Sequence, residues 1–221
     1  MRIRKIDEAV ILWDWNGTLL DDAETCLNTM NNMLAKRNMK QLNMEFYREV
    51  FGFPVVDYYT RIGFDFSKES FEDLSVEFIE AYLRDLTHAR LMPGAGKVLQ
   101  YYTEMGKQNI ILSAMKKDML RISVKEKGLD QYFTEILGID NIYAESKSHM
   151  ALHYVKENNL DSSDIVLIGD TVHDFEVAEE AGCRCILVAD GHQSEARLRE
   201  TGAEVVGTLI DLITPIFPKS L

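Results

Sequence analysis

Cysteine is scarce in this sequence, and its uneven placement excludes two classes of protein. Only Cys26, Cys183 and Cys185 occur among the 221 residues, which is too few for a disulfide framework. The Cys183 and Cys185 pair also lacks a second Cys or His pair at zinc-finger spacing. We therefore interpret the three cysteines as small buried thiols rather than as metal ligands.

Long apolar runs and an excess of positive charge are missing as well. The apolar run at residues 9–13 is too short for the core of a signal peptide, and no stretch approaches the ~18 apolar residues of a membrane span. The 24 basic and 36 acidic residues give a net charge of −12, which repels nucleic-acid phosphates and anionic lipids. We expect a cytoplasmic protein that binds neither nucleic acid nor membrane.

Short apolar runs alternate with segments of helical periodicity along most of the chain. Five runs predict strands that are buried on both faces, and residues 205–206 form a weaker sixth. The five runs cover residues 10–13, 110–112, 136–137, 165–168 and 186–188. The intervening helical segments end at glycines, as helices commonly do. This alternation predicts an α/β fold with a parallel sheet that has helices on both faces.

The connection between the first two predicted strands is unusually long. About a dozen residues suffice for a crossover, but residues 20–91 precede the crossover helix that follows Pro93. Apolar residues at helical spacing in 23–34 and 71–82 predict helices there, the first capped by Asp21 or Asp22. We interpret residues 1–19 and 92–221 as the core domain and residues 20–91 as a small helical cap.

Two of the predicted strands are followed by an aspartate. Asp14 follows the strand at 10–13, and Asp170 follows Gly169 after the strand at 165–168. Because ligands bind beyond the carboxyl ends of parallel strands, we expect these two carboxylates to converge. Two close carboxylates require a compensating cation, and Mg²⁺ prefers oxygen ligands while leaving positions for water and phosphate. The sequence therefore predicts a magnesium site.

Two other residues supply groups that a phosphoryl group requires. Ser113 follows the strand at 110–112 and offers a hydroxyl beside backbone N–H groups. Lys147 offers a cation at the start of a predicted helix, where free backbone N–H groups also attract anions. Together with the aspartates, they predict a site for a phosphorylated ligand.

These residues, in this order, resemble the motifs of the haloacid dehalogenase-like hydrolase superfamily, in particular its phosphoglycolate phosphatase-like branch. The first motif of that family, Asp-x-Asp-Gly-Thr-Leu, corresponds to residues 14–19, although position 16 is Asn. Ser113 matches the second motif, Lys147 the third, and Gly169, Asp170 and Asp174 match the fourth. The resemblance spans essentially the whole chain. It implies a Rossmann-like parallel sheet with an inserted helical cap.

The resemblance also implies a mechanism. Asp14 would attack phosphorus and form an aspartyl-phosphate. Mg²⁺ would be held by Asp14, Asp170 and the backbone carbonyl of Asn16, while Asp174 would hold metal-bound water or orient Lys147.

The remaining implied roles concern the substrate. Ser113, Ala114 and Lys147 would bind the phosphate oxygens. The implied activity is Mg²⁺-dependent hydrolysis of a small phosphorylated metabolite by a monomer or a homodimer.

Asn16 departs from the family pattern. The family's phosphatases have an aspartate there, which protonates the leaving alcohol and then activates water, and such help contributes about 10²–10⁴ in rate. Asparagine cannot transfer that proton. The open explanations are a substrate with a good leaving group, chemistry that needs no acid, a slow or vestigial enzyme, and an engineered substitution.

Three other activities stay open at this point. In a dehalogenase-type enzyme Asp14 would displace halide from carbon without a metal. A phosphonate hydrolase would need a Schiff-base lysine in the cap, where Lys36 and Lys40 are available. A third alternative is a non-catalytic binding protein.

Three arginines of the predicted cap could meet a substrate carboxylate, namely Arg37, Arg48 and Arg61. We interpret each of them as a solvated surface residue.

Overall fold

A parallel sheet forms the centre of the computed structural model, which describes residues 2–3, 6–139 and 146–216. Within these residues the strands, in chain order, are β1 (Arg2–Ile3), β2 (Val10–Trp13), β3 (Leu20–Asp21), β4 (Arg90–Leu91), β5 (Gln108–Lys116), β6 (Glu135–Ile139), β7 (Ile165–Gly169), β8 (Arg184–Val188), β9 (Glu204–Val206) and β10 (Pro215–Ile216). Six of them form one sheet in the order β6-β5-β2-β7-β8-β9, and all of its pairings are parallel. The predicted α/β fold class is confirmed.

The helices, again within the described residues, alternate with these strands. They are α1 (Ala23–Lys36), α2 (Met44–Val50), α3 (Val55–Arg61), α4 (Phe71–Leu86), α5 (Ala95–Glu104), α6 (Lys117–Glu126), α7 (Lys147–Glu157), α8 (Val172–Ala181) and α9 (Glu195–Glu200). Side chains alternate across a strand, so Ile11 and Trp13 join one buried apolar cluster while Val10 and Leu12 join another. Strand β2 is therefore buried on both faces, whereas Ile136 and Leu137 of β6 are half-buried.

Strand β5 is longer than the sequence predicted. It continues past Leu112 to Lys116, with a register shift against β6 between these two residues. The prediction that Ser113 follows the end of the strand was therefore wrong, because Ser113 lies within β5.

Four helices, α1 to α4, separate the short strands β3 and β4. These strands pair antiparallel, with Leu20 opposite Leu91 and Asp21 opposite Arg90, so the chain leaves and re-enters the core at adjacent points. Asp22 is the residue before α1, but its side chain does not cap the helix. No helix among the described residues is both long and apolar enough to cross a lipid bilayer.

Candidate active site

Three aspartates meet at the carboxyl edge of the sheet. Strands β2 and β7 are neighbours, and the Asp14 N–H donates a hydrogen bond of 2.9 Å to the Ile168 carbonyl. Asp170 follows β7, and Asp174 lies in the first turn of α8. Carboxylate oxygens of Asp14, Asp170 and Asp174 lie within 4.8 Å of one another, and all three residues are buried. The distance fits a shared ion.

Lys147 brings a positive charge into contact with this carboxylate cluster. It is the first residue of α7, is 5% exposed, and its Nζ contacts the carboxylates of both Asp14 and Asp174. Burial alone would lower the pKa of Lys147, but the two carboxylates raise it above its ordinary value. The side chain is therefore a fixed positive charge beside Asp14.

Two glycines allow the backbone to approach Asp170 closely. Gly17 has a φ of +75°, and a Cβ atom at Gly17 or at Gly191 would overlap the Asp170 carboxylate. That carboxylate accepts hydrogen bonds from Thr18 Oγ1 at 2.8 Å and from the His192 N–H at 2.7 Å. The loops after β2 and β8 thus fix its position.

Asp174 has a structural role as well as a place in the cluster. Its Oδ2 accepts hydrogen bonds from the N–H and the hydroxyl of Thr171, which forms a capping box at the start of α8. Its Oδ1 contacts Lys147. The Asp174 carboxylate therefore caps the start of α8 and holds Lys147 in place.

Burial and mutual repulsion make the cluster electrostatically unfavourable without a cation. Burial, together with the charges of Asp174 and Asp170, raises the pKa of Asp14 to about 8, although Lys147 opposes the shift. Burial and Asp174 raise the pKa of Asp170 to about 6. Burial would also raise the pKa of Asp174, but Lys147 and the hydrogen bonds from Thr171 together outweigh that effect and lower it. The site thus favours binding of positive charge.

Asn16 lies in a second polar network beside this cluster. Its Nδ2 donates to Asp22 Oδ2 at 3.0 Å and to the Tyr82 hydroxyl at 2.7 Å. Asp22 Oδ1 accepts from the Gly17 N–H at 2.7 Å and lies 3.3 Å from Nε2 of His192. The sequence reasoning assigned no catalytic role to Asp22, Tyr82 or His192. The only sequence signal for Asp22 is its proximity to the first motif.

A cavity of about 560 Å³ extends outward from the carboxylates and includes Ser113 and Ala114 in its lining. The Ser113 hydroxyl is buried and accepts a hydrogen bond of 3.2 Å from the Met115 N–H. The cavity lining includes none of Arg37, Arg48 and Arg61. Arg37 pairs with Glu69 and Glu77, while Arg48 donates to the Gly191 carbonyl.

Residues 11–188 match the family model described as haloacid dehalogenase-like hydrolase. The chain belongs to this family. The resemblance that the motifs indicated is therefore confirmed. Membership of this family agrees with both the fold and the clustered aspartates.

Relatives of this haloacid dehalogenase-like protein include enzymes with distinct substrates. An N-acetylmuramic acid 6-phosphate phosphatase from Pseudomonas putida is 27% identical over 93% of this chain and 92% of the relative. A phosphoglycolate phosphatase from Pseudomonas fluorescens is 24% identical over 96% of this chain and 79% of the relative. A haloacid dehalogenase-like hydrolase structure from Streptococcus pneumoniae, 17% identical, superposes with a TM-score of 0.81 over 93% of this chain and 96% of that chain. This last likeness supports the fold alone.

Proposed function

We propose that the protein is a Mg²⁺-dependent phosphatase that hydrolyses a small phosphorylated metabolite through a phosphoryl group on Asp14. The observation that carries the proposal is the buried cluster of Asp14, Asp170 and Asp174, with Lys147 in contact with two of them. The two relatives that are named as phosphatases support the same class of reaction.

The charge balance of the site fits a divalent cation. The three clustered carboxylates and Asp22 carry four negative charges when they are ionised, whereas Lys147 and a protonated His192 supply two positive charges. Asp22 raises the pKa of His192 to about 9 against the opposing effect of burial. Among these six buried groups the remaining charge is −2, which Mg²⁺ would balance, and carboxylate oxygens are its preferred ligands.

Four residues would hold the ion in this proposal. They are Asp14 and Asp170 through carboxylate oxygens, Asn16 through its backbone carbonyl, and Asp174 through metal-bound water. When bound, Mg²⁺ stabilises negative charge on the phosphoryl oxygens and reduces the repulsion between the phosphate and the carboxylates.

The covalent steps are assigned to Asp14. One of its carboxylate oxygens attacks phosphorus, the bond between phosphorus and the ester oxygen breaks, and the alcohol leaves. Water then hydrolyses the phosphoryl-aspartate and releases phosphate, which divides one difficult displacement into two. Lys147, Ser113 and the backbone at Ala114 bind the phosphoryl oxygens, while Asp174 keeps Lys147 in position.

The cap is also part of the proposal. Residues 20–91 would form a cap domain over a core of residues 1–19 and 92–221, because both connections pass through the paired strands β3 and β4. A cap lysine for phosphonate chemistry has no support, since Lys36 pairs with Glu77 at 2.6 Å and no residue of the described cap that lines the cavity is a lysine.

Covalent capture tests this mechanism. The protein is mixed with acetyl phosphate and Mg²⁺, quenched in acid, and analysed by intact mass and peptide mapping. We expect a phosphoryl adduct on Asp14 that is absent in Asp14→Asn and in EDTA. The matched control Asp118→Asn, an exposed aspartate on α6, should keep the adduct. Failure to form an adduct and to hydrolyse acetyl phosphate would refute the proposal, and activity that survives EDTA would favour a metal-independent displacement.

A further inference from the structure

The outer wall of the cavity is apolar and largely aromatic. Residues of the segment 51–83 that line it include Phe51, Phe53, Phe71 and Phe78, and none of the lining residues from this segment is charged. This wall therefore supplies no cation, and the lysines that line the cavity, Lys116 and Lys147, come from other segments. The wall is suited instead to an apolar group attached to the phosphate.

Two apolar side chains in this wall remain exposed to solvent. Phe53 is 43% exposed and Ile79 is 54% exposed, and both line the cavity. An apolar ligand that covers these side chains removes apolar surface from water, which stabilises the complex.

The chemistry at Asn16 points to the same ligand. Its side chain is an amide, whose nitrogen donates to the Asp22 carboxylate at 3.0 Å, and the Tyr82 hydroxyl donates to the same carboxylate at 2.7 Å. Both ring nitrogens of His192 are engaged, one near Asp22 and the other with the Tyr47 hydroxyl at 2.8 Å. The Asn16 amide therefore offers no acidic proton to a departing alkoxide. A leaving group that is stable as an anion needs none.

We infer that the substrate is an aryl phosphate monoester, whose aromatic ring lies against Phe53, Phe71 and Ile79 while its phosphate lies beside Asp14. The inference rests on the proposed phosphatase function and specifies its substrate class. It differs from a small anionic substrate such as phosphoglycolate, which has no apolar group to cover this wall.

The first step of this reaction needs no proton donor from the protein. Asp14 forms a bond to phosphorus, the bond between phosphorus and the aryl oxygen breaks, and its electron pair leaves on a phenolate that takes a proton from water. A phenol has a pKa of about 10, whereas an alcohol is about as weak an acid as water, with a pKa near 15.7. The aryl ester therefore depends far less on a proton donor.

Four substrates separate this inference from the proposed function. Acetyl phosphate reports nucleophilic competence alone, phenyl and benzyl phosphate share a ring but differ in the leaving oxygen, and phosphoglycolate is small and anionic. With Mg²⁺ we expect kcat/KM for phenyl phosphate to exceed that for benzyl phosphate by about 10² or more. It should exceed that for phosphoglycolate by about tenfold or more, because the ring is buried.

A variant of the wall tests where the ring binds. Ile79→Arg places a cation in the uncharged wall, and we expect it to lower kcat/KM for phenyl phosphate and to raise it for phosphoglycolate. Val76→Arg is the matched control, because Val76 lies on the same helix, is 56% exposed and does not line the cavity. It should leave both values unchanged.

The outcomes are distinguishable. If the unsubstituted protein does not hydrolyse acetyl phosphate in the presence of Mg²⁺, the proposed function itself is wrong. If acetyl phosphate is hydrolysed but benzyl phosphate or phosphoglycolate matches phenyl phosphate, the protein is a phosphatase and the aryl inference is wrong. An equal response of Ile79→Arg and Val76→Arg would place the ring elsewhere and also overturn it.

Discussion

The amide of Asn16 is complementary to the carboxylate of Asp22 beside it. Asp22 Oδ2 lies 3.0 Å from the Asn16 amide nitrogen and also accepts from the Tyr82 hydroxyl at 2.7 Å. A carboxylate at position 16 would face the Asp22 carboxylate at that distance. The amide, as a donor, removes this repulsion and keeps Asp22 ionised.

The variant Asn16→Asp should restore acid catalysis. Because two carboxyls about 3 Å apart cannot both ionise, the introduced carboxyl and Asp22 should share a proton at neutral pH. We expect kcat/KM for benzyl phosphate to rise by about 10² or more, and for phenyl phosphate to rise much less. Steady-state phosphate release measures both values.

A control and a contradicting outcome complete this test. Asn28→Asp changes an exposed amide on α1 and should have no effect on either substrate. An unchanged benzyl phosphate rate in Asn16→Asp would mean that the missing acid does not limit the reaction.

Single residues of the site could be predicted from the sequence only where they follow a strand or match a motif. Asp14 and Asp170 were found in this way, because each follows an apolar run. Tyr82 and His192 were not assigned, because their contacts with Asp22 join residues 60 and 170 positions away, counted along the sequence. Only the tertiary fold brings them together.

At the scale of elements, the strands were predictable and the short helices were not. The apolar runs of β2, β5, β7 and β8 are buried on both faces, which gives a strong signal, whereas β6 is half-buried and β9 has only three residues. Helices α2 and α3 have seven residues each, about two turns, so their apolar periodicity is too short to recognise. The length of β5 depends on pairing with β6 across a register shift, which local sequence does not encode.

Hydrogen bonds fasten the end of α2 to the loop and helix that follow β8. The Arg197 guanidinium donates to the carbonyls of Arg48 at 3.0 Å and of Phe51 at 2.6 Å. Gln193 Nε2 donates to the same Phe51 carbonyl at 3.0 Å. Since Phe51 lines the cavity, these bonds position part of the aromatic wall.

Arg197→Ala should loosen this attachment. We expect faster amide hydrogen exchange at residues 44–53 and a loss of roughly 1–3 kcal/mol in the free energy of unfolding, because partly buried carbonyls lose a charged donor. Arg199→Ala is the matched control, since Arg199 lies on the same helix and is bonded to Glu195 within it. Equal exchange in the two variants would contradict a positioning role for Arg197.

For the whole molecule, the buried cluster links stability to pH and to metal. Asp14 and Asp170 have pKa values raised from 3.8 to about 8 and about 6, so the folded protein binds protons that the unfolded chain releases. Stability must therefore fall as pH rises from about 4 to about 8. The pKa of His192, raised from 6.5 to about 9, acts in the same direction, since its contribution is complete below pH 6.5 and is lost as pH rises through about 9.

The directions of these three pKa shifts predict how the Tm depends on pH and on Mg²⁺. In EDTA, the Tm should fall between about pH 6 and pH 9, and Mg²⁺ should raise the Tm more at the upper pH, because the ion competes with protons for the same carboxylates. Asp14→Asn should have a smaller fall in EDTA and a smaller gain with Mg²⁺, which separates the cluster from the general repulsion of a chain with a net charge of −12. Thermal unfolding of both proteins, at each pH with and without Mg²⁺, measures this difference. A Mg²⁺-induced gain in Tm that shrinks with rising pH, or that is equal in Asp14→Asn, would mean that the ion does not bind at the clustered aspartates.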